Sequence, residues 1–339
     1  MPTLLVTGGC GFIGSNFVRL LRRERPEVGI TVLDKLTYAG NPLNLAEFEG
    51  QPGYRFVHGD ICDRELVDKL AGEVDAIVNF AAETHVDRSI VDPFAFVETD
   101  VYGVAVLCDA ALRHRHQVFH LVSTDEVYGD VPEGRSKEGD AFRPRSPYAA
   151  SKAGGEHLAR AYAITHGLPL LVTRGSNNYG PYGYPEKLVS VLVTNAIDDL
   201  PLPLYNDGSA VRDYVYVEDH CRAIDLVLHE GEVGEVYNVG TGVETSGLEV
   251  AEAVLDLMGK PHSLIQFVQD RKGHDYRYAL DVTRIREGLG WEPRTTLAEG
   301  LERTVRWYQG NQDWWRPLKS GDYWEYYRRN YRPLETGTP

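Results

Sequence analysis

The sequence contains little cysteine, no excess of basic residues and no long apolar run, and each shortage excludes a class of protein. Its 339 residues include four cysteines, Cys10, Cys62, Cys108 and Cys221. They lie far apart and form no C-x-x-C pair, which argues against a disulfide framework and against a thiolate metal site. We therefore expect reduced thiols and no bound metal.

Net charge limits the partners of this protein. Its 35 Lys and Arg residues stand against 50 Asp and Glu residues, a formal net charge of -15 at pH 7. Such a surface repels nucleic acid and anionic membranes. No apolar run reaches the roughly 18 residues of a membrane-spanning helix, and no basic leader precedes the first strand. We expect a cytoplasmic protein with no nucleic-acid or membrane partner, in which a phosphate-bearing ligand meets a local cluster of cations.

Short apolar strands alternate with helical segments through the first half of the chain. The strands are predicted over residues 3–7, 29–33, 54–58, 76–80, 118–122 and 170–173. This alternation predicts an α/β fold, a Rossmann-type doubly wound parallel sheet with a smaller mixed α/β C-terminal substrate lobe. Residues 1–175 are expected to form the cofactor domain, with some later segments returning to it. Residues 176–339 are expected to form the lobe and an aromatic tail that docks on the body.

Three glycines separate the first strand from the first helix, which we expect to begin at Ser15. Gly8, Gly11 and Gly14 form a G-x-x-G-x-x-G turn, whose bare backbone lets a pyrophosphate approach the free N–H groups of the helix N-terminus. The next strand ends in Asp34, 20 residues after Gly14. A carboxylate there accepts hydrogen bonds from a ribose 2'-hydroxyl and disfavours a 2'-phosphate. The sequence therefore predicts NAD in preference to NADP, with Lys35 as the neighbour that opposes this choice.

Small and polar residues follow the third and fourth strands, at the edge where a parallel sheet opens onto its ligand. Asp60 and Ile61 are predicted to hold the adenine edge, although Asp60 is equally well placed to cap the next helix. Ala81 and Ala82 are small enough for a cofactor to lie across them. The loop over residues 129–146 is expected to cover the active site.

Two adjacent carboxylates, Asp125 and Glu126, follow the fifth strand. Neighbouring carboxyl groups in a partly dry cleft cannot both ionise freely, so one can donate a proton while the other accepts one. Tyr148 and Lys152 share one face of a predicted helix, and a phenol beside a fixed cation ionises more readily than its reference pKa of about 10 allows. An isolated Asp-Glu pair is usually a solvated surface feature. Together with the Tyr-Lys pair it predicts redox chemistry coupled to proton transfer.

Three basic residues of the irregular second half, Lys187, Arg212 and Arg271, are predicted phosphate partners. Each taken alone would be a solvated surface charge. An acidic protein, however, needs local cations to hold a diphosphate.

These motifs together resemble the extended short-chain dehydrogenase/reductase superfamily and, within it, the dTDP-glucose 4,6-dehydratases. The resemblance runs from Thr7 to about Trp291 and rests on the segments 7–14, 34–41, 59–61, 81–89, 124–129, 148–152, 176–181 and 270–274. Thr84, Cys10 and Gly175 depart from the Ser, Ala and Cys that are usual in the family. Thr84 keeps the hydroxyl that a substrate hydrogen bond needs.

The resemblance implies a three-step reaction in which NAD is reduced and reoxidised within one turnover. Tyr148, held ionised by Lys152 and assisted by Thr124, would take the proton of the sugar C4 hydroxyl as hydride leaves C4. Glu126 would then remove the C5 proton while Asp125, kept protonated, donates to the departing C6 hydroxyl. Return of the hydride to C6 would give a nucleotide-linked 4-keto-6-deoxyglucose for deoxysugar synthesis, for example of rhamnose.

Two sets of contacts and a homodimer are implied as well. The expected cofactor contacts are Gly8, Gly11, Phe12, Ile13, Gly14, Asp34, Lys35, Leu36, Thr37, Asp60, Ile61, Phe80, Ala81, Ala82, Thr99, Tyr148, Lys152 and Asn178. The expected substrate contacts are Thr84, Thr124, Asn177, Lys187, Leu188, Pro203, Leu204, Tyr205, Arg212, Asn238, Arg271 and His274. His85 fits either a ligand contact or a structural hydrogen bond. The homodimer would form through helices over 93–113 and 146–166 of each subunit.

Other functions share parts of this pattern. A nucleotide-sugar 4-epimerase or a nucleotide-glucuronate decarboxylase would have the same fold, NAD and Tyr-Lys pair, but neither gives a task to both Asp125 and Glu126. A catalytically silent NAD-binding scaffold would be free to lose Tyr148, Lys152 and both carboxylates, and all four are present. These residues favour the dehydratase. A thymidine and a uridine nucleotide, which differ by one methyl group, both fit the pattern.

Overall fold

The computed structural model describes residues 2–334. Within them the strands are β1 Thr3–Thr7, β2 Gly29–Asp34, β3 Tyr54–His58, β4 Ala76–Asn79, β5 Val118–Thr124, β6 Leu170–Gly175, β7 Asn177–Tyr179, β8 Leu202–Tyr205, β9 Val211–Tyr216, β10 Val236–Val239, β11 Glu244–Ser246 and β12 Ile265–Val268. The α-helices are α1 Phe12–Glu24, α2 Arg64–Ala71, α3 Val86–Val91, α4 Pro93–Val97, α5 Val104–Arg113, α6 Pro147–His166, α7 Leu188–Ile197, α8 Val217–Glu230, α9 Gly247–Met258, α10 Thr283–Leu289, α11 Leu297–Gly310, α12 Gln312–Trp315 and α13 Asp322–Asn330.

Seven parallel strands form the main sheet in the order β10-β6-β5-β4-β1-β2-β3. The strands are apolar over most of their length because helices cover both faces of the sheet, and every residue of β5 is buried. The predicted doubly wound sheet is therefore confirmed, with β10 as a strand contributed by the second half of the chain. The strand order reverses between β1 and β4, where the carboxyl ends of the strands leave a crevice for a ligand.

Separate apolar clusters lie on the two faces of this sheet. One joins the sheet to α1, α8 and α10 through residues such as Phe17, Ile224 and Ile285. The other joins it to α2, α5 and α6 through residues such as Leu107 and Ala159. Helix α6, which carries the predicted Tyr-Lys pair, is thus held on a rigid sheet face.

A smaller lobe of mixed structure follows. Strands β7 and β9 are parallel and β9 and β11 antiparallel, while β8 pairs with β12. These strands pack on α7, α9 and α11 around a third apolar cluster. In the aromatic tail, Trp315 is fully buried and Tyr323 nearly so. Residues 335–339 of that tail lie outside the described residues.

Three local predictions change. Helix α1 begins at Phe12 rather than Ser15, because Gly11 is already its N-cap. The helix expected over 93–113 is divided into α4 and α5 by a π-helical turn, Glu98–Gly103. The loop over 129–146 lines neither cavity described below; the backbone N–H groups of Val131 and Ser136 instead bond to carbonyls of Arg277 and Ala279, at 3.0 and 2.8 Å.

In residues 2–334, no helix combines the length and apolar character that a membrane crossing requires.

Candidate active site

The glycine turn leaves a cradle that side chains would fill. Gly8 adopts a left-handed φ of +68°, and a Cβ there would lie 2.5 Å from the backbone nitrogen of Ala81. A Cβ at Gly14 would lie 2.3 Å from the carbonyl oxygen of Gly8. Because both neighbours are backbone atoms, only glycine fits these positions. The turn therefore opens the N-terminus of α1, whose cap makes no side-chain hydrogen bond, to a pyrophosphate.

Asp34 ends β2 at the rim of the same cavity. Its two carboxylate oxygens accept hydrogen bonds from the backbone N–H groups of Cys10, at 2.9 Å, and Leu36, at 2.8 Å. Lys35, which opposed the choice of NAD, is neutralised because its Nζ lies 2.7 Å from Asp60 Oδ2. These residues fit a ribose with a free 2'-hydroxyl. The alternative that Asp60 caps α2 is wrong, since Asp63 is that cap.

Most of the expected cofactor residues line this first cavity together. They are Gly8, Gly11, Phe12, Ile13, Gly14, Asp34, Lys35, Thr37, Asp60, Ile61, Phe80, Ala81, Ala82, Thr99, Tyr148 and Lys152.

Leu36 and Asn178 do not line it. The Leu36 side chain packs on the apolar cluster beside α1. The Asn178 amide is held by His220 Nδ1, at 2.9 Å, and by the carbonyl of Ser176, at 3.0 Å. Both side chains make their contacts within the protein, and their positions in the sequence motifs do not indicate this.

Tyr148 and Lys152 are placed by the start of α6. Ser146 caps the helix by accepting from the N–H of Ala149 at 3.1 Å, and Pro147 fills the first position, so Tyr148 stands in the first turn above the strand ends. Lys152 is buried one turn later, and its Nζ donates to the carbonyl of Val122 at 3.0 Å.

The surroundings of Tyr148 in this structure oppose its expected easy ionisation. Burial, followed by the charges of Glu126 and Asp100, raises the pKa of the Tyr148 phenol well above its ordinary range. The nearby Thr124 hydroxyl acts in the opposite direction and favours the phenolate. The Lys152 ammonium, one helical turn along α6, donates its hydrogen bond to the carbonyl of Val122.

The carboxylate pair occupies a short 3-10 turn, Asp125–Tyr128, at the end of β5. Thr124 caps this turn: its Oγ1 accepts from the N–H of Glu126 and lies within hydrogen-bond distance of Asp125 Oδ1, both at 3.3 Å. Asp125 Oδ2 and Glu126 Oε2 are buried and have no hydrogen-bond partner in residues 2–334. Such atoms are costly unless a ligand or solvent molecule meets them.

The two carboxyl groups have different surroundings. Burial and then the charge of Glu126 raise the pKa of Asp125 well above its ordinary value. Burial raises the pKa of Glu126 as well, but Arg271, Arg212 and Lys187 all oppose that rise. Asp125 is therefore the member of the pair that keeps its proton, and Glu126 is the member whose ionised form has cations nearby.

A second cavity begins at Glu126 and extends into the C-terminal lobe. The expected substrate residues that line it are Asn177, Lys187, Leu188, Pro203, Leu204, Tyr205, Arg212, Arg271 and His274. Thr84 lines the first cavity instead, where its hydroxyl accepts a 3.2 Å hydrogen bond from Lys187 Nζ. Tyr148, Glu186 and Lys187 line both cavities. The phenol of Tyr148 therefore stands where the two spaces meet.

Asn238 is not brought into this site, which corrects its predicted substrate contact. It is fully buried and donates to the carbonyls of Ser136, at 3.0 Å, and Asp281, at 3.1 Å. It also accepts from the hydroxyl of Tyr128 at 2.8 Å. Because Tyr128 ends the carboxylate turn, Asn238 supports the site from behind.

Several lining residues were not predicted. Glu186 is 2 % exposed and accepts from the hydroxyl of Tyr38, at 2.6 Å, and from Arg88 Nε, at 3.0 Å. In the sequence, only its position next to the predicted Lys187 indicates that Glu186 belongs to the site. Glu83, Tyr184, Tyr278 and Tyr331 also line the cavities, and Tyr331 comes from the tail, for which no local signal exists. His85 lines the second cavity and also hydrogen-bonds, through Nδ1 at 3.1 Å, to Tyr326.

Comparison with known proteins gives a consistent result. The family model described as GDP-mannose 4,6 dehydratase matches residues 5–304. A dTDP-glucose 4,6-dehydratase of Streptomyces niveus is 53% identical over 323 residues, which cover 94% of this chain and 96% of that protein.

Solved structures agree with this match. The dTDP-glucose 4,6-dehydratase DesIV of Streptomyces venezuelae, solved with NAD bound, superposes with a TM-score of 0.91 at 51% identity, covering 94% of this chain and 100% of that one. A UDP-glucose 4-epimerase of Thermus thermophilus, also in complex with NAD, has a TM-score of 0.84 at 34% identity, covering 91% of this chain and 99% of that one.

Proposed function

Since this chain belongs to the GDP-mannose 4,6 dehydratase family, we propose that it is a dTDP-glucose 4,6-dehydratase that uses NAD. It is then a hydro-lyase that turns dTDP-glucose into dTDP-4-keto-6-deoxy-glucose for deoxysugar synthesis. The observation that carries the proposal is the meeting of the two cavities at Tyr148, with Glu126 lining the second and Asp125 buried beside it. A sugar at this junction meets a phenol, an acid and a base at once.

The nucleotide half of the substrate is assigned to the second cavity. Arg271 is the strongest diphosphate partner, because its Nε is buried and has no hydrogen-bond partner in residues 2–334. Arg212 contributes charge more than hydrogen bonds, since its guanidinium already donates to the carbonyls of Val211, Tyr276 and Asp275. Lys187 can reach both ligands from the shared wall. In this assignment residues 1–175 hold the cofactor, and residues 176–339 hold most of the nucleotide.

NAD, when bound, supplies the hydride acceptor for sugar C4 and the donor that returns the hydride to C6. Among the chain's own residues, Tyr148 takes the proton of the C4 hydroxyl. Thr124 assists because its hydroxyl beside the phenol lowers the pKa of Tyr148. Lys152 stands one helical turn away as the cation that favours the phenolate. The resulting C4 ketone acidifies the hydrogen on C5.

Elimination of water then uses the two carboxyl groups. Glu126, whose charge is stabilised by Arg271, Arg212 and Lys187, removes the C5 proton. Asp125, kept protonated by burial and by the charge of Glu126, donates its proton to the departing C6 hydroxyl. An acid and a base on adjacent residues serve adjacent carbons. A 4-epimerase has no elimination step and so no use for this pair.

The proposal is tested by incubating the purified protein with dTDP-glucose without added cofactor. We expect the alkaline ultraviolet absorbance of a 4-keto-6-deoxy sugar, which shows both the elimination and retained, recycled NAD. UDP-glucose in a parallel reaction tests the choice of nucleotide. If no keto sugar forms even with NAD added, and UDP-glucose is converted into its 4-epimer, the protein is an epimerase.

The protein is also proposed to act as a homodimer. Phe94 of α4 and Ile164 of α6 are 82% and 84% exposed, and Val97 and Tyr102 are half-exposed beside Phe94. A second copy would cover these apolar side chains with the same helices. We expect light scattering to report a dimer for the parent and a monomer for Phe94→Glu. Leu257→Glu, at an exposed apolar residue of α9 in the C-terminal lobe, should remain dimeric. A monomeric parent would contradict the proposal.

The proposed compartment is the cytoplasm. The four cysteines are free thiols, and Cys10, Cys108 and Cys221 are buried. Free buried thiols suit a reducing environment. Fractionation of the producing cells, with the keto-sugar assay on each fraction, tests this placement.

A further inference from the structure

Asp100 is a buried acidic residue beside the reacting groups that the mechanism above leaves without a task. It lies in the π-helical turn between α4 and α5 and is 2 % exposed. Its Oδ2 accepts a 2.6 Å hydrogen bond from Ser151 Oγ, and its Oδ1 accepts a 3.0 Å hydrogen bond from the N–H of Glu83. One carboxylate thus joins α6, which carries Tyr148 and Lys152, to the loop that lines the first cavity.

Backbone contacts fix this carboxylate in place. A Cβ at Gly155 would lie 2.0 Å from the carbonyl oxygen of Asp100, and one at Gly154 would lie 3.2 Å from the side chain of Val101. Two consecutive glycines therefore let α6 approach the π-helical turn at close range. Single π-helical turns inside α-helices are frequent at functional sites. Asp100 and α6 are therefore in direct backbone contact.

The charges around Asp100 come from α6 and from the loop after β4. Burial lowers the pKa of Lys152, and Asp100 is the first of two carboxylates that oppose this change, ahead of Glu156. Burial raises the pKa of Asp100 to about 7. Among the groups that lower this pKa, the charge of Lys152 has the largest effect. Glu83 repels the Asp100 charge, and that charge in turn raises the pKa of Tyr148.

We propose that Asp100 is a positioning residue: its carboxylate ties the start of α6 to the cofactor cavity through Ser151 and Glu83, and its charge acts on Lys152 and Tyr148. The inference rests on the proposed function for the role of Tyr148 as the base. Because ionised Asp100 raises the pKa of both Tyr148 and Lys152, it sets the pH range in which a charged lysine accompanies a reactive phenol.

The first test is the pH profile of kcat/KM for dTDP-glucose. Asp100→Asn keeps the size of the side chain and an acceptor for Glu83 but removes the charge. Both limbs of the profile should move to lower pH by about one unit, the size expected from one nearby charge. The kcat should fall while KM stays close to the parent value, since Asp100 does not line the nucleotide cavity. Ser151→Ala keeps the charge but removes a hydrogen bond to it, and should move the limbs in the same direction by less.

A second measurement does not depend on activity. The pKa of Asp100 is about 7 in the folded chain and near 3.8 in the unfolded chain, so the stability that its protonated form supports is lost as pH rises through that window. Asp100→Asn has no such loss. The Tm of the variant relative to the parent should therefore increase between roughly pH 5 and roughly pH 8.

The outcomes separate this inference from the proposed function. The inference would be overturned if kcat falls while both limbs of the pH profile stay in place and the Tm difference does not change with pH. Asp100 would then be only a structural hydrogen-bond acceptor. If the parent makes no keto sugar, the proposed function fails, and the Tm comparison still decides whether the buried Asp100 carboxyl ionises between roughly pH 5 and roughly pH 8. If Asp100→Asn does not fold, Ser151→Ala decides by the same two measurements.

Discussion

The cofactor cavity and the nucleotide cavity are built in different ways although they share a wall. The first is formed by consecutive strand ends and by bare backbone, as at Gly8 and Gly14, where a Cβ would collide with main-chain atoms. The second is formed by side chains from segments far apart in the chain, including Leu188, Arg212, Arg271 and Tyr331. A backbone cradle has almost no freedom to adapt. A cavity of long side chains can lose one contact and keep the others.

The largest effect is expected from the cradle. Gly14→Ala would place a Cβ 2.3 Å from the carbonyl oxygen of Gly8, so that the turn must move. Displacement of the cofactor by about 1 Å costs roughly a hundredfold in rate, and we expect the copurified NAD to be lost as well. NAD released from the denatured protein gives the content. Gly139→Ala, at a glycine with no atom within 4 Å of its Cβ position, is the control. Parent-like NAD content in Gly14→Ala would contradict the rigid cradle.

The next effect tests the shared wall. Glu126→Gln removes the proposed base and keeps the shape of the side chain, so product formation should fall by roughly 10² to 10⁴. Oxidation at C4 does not need this carboxylate. Reduced nicotinamide should therefore still appear after substrate is mixed with the variant, as followed by stopped-flow absorbance. Glu133→Gln, at an exposed glutamate, is the control. Full product formation by Glu126→Gln would remove it from the elimination step.

A smaller effect is expected in the nucleotide cavity. Arg271→Met removes a charge-assisted hydrogen bond worth about 1.5–3 kcal/mol, which corresponds to a roughly ten- to hundredfold rise in KM with little change in kcat. Arg306→Met, at a side chain that is 73% exposed, should match the parent. A fall in kcat as large as the rise in KM would mean that Arg271 acts on the chemistry, and the contrast between the two cavities would weaken.

The effect that is smallest per pH unit concerns the support beneath both cavities. Burial lowers the pKa of His120, in β5, to about 3 and that of His220, in α8, to about 4, against an ordinary value of 6.5. The unfolded chain binds protons first, so stability is lost as pH falls from 6.5 toward these values, by at most about 1.4 kcal/mol per pH unit for each histidine. Urea unfolding at several pH values should show a shallower dependence for His120→Gln. An unchanged slope would mean that His120 binds its proton as readily in the folded protein as in the unfolded chain.

Sequence motifs predicted the cofactor side of the site better than the substrate side. The strand bounds, Asp34 at the rim and the glycine turn followed from patterns a few residues long. The ligand contacts predicted for Asn178 and Asn238 are not seen, because each side-chain amide hydrogen-bonds within the fold. Asn178 bonds to His220 and Asn238 to Tyr128. Glu186 was missed because its burial depends on Tyr38 and Arg88.

The sequence by itself determined the α/β alternation, the family, the preference for NAD and the pairing of an acid with a base, because hydrophobic period, turn geometry and residue chemistry are local properties. Tertiary structure alone decided the surroundings that shift the pKa values of the site residues. Tyr148 was expected to ionise readily beside Lys152, yet burial, Glu126 and Asp100 raise its pKa, while the Lys152 ammonium donates to the carbonyl of Val122. Burial and electrostatic interaction depend on groups that are distant in the chain and meet only when it folds.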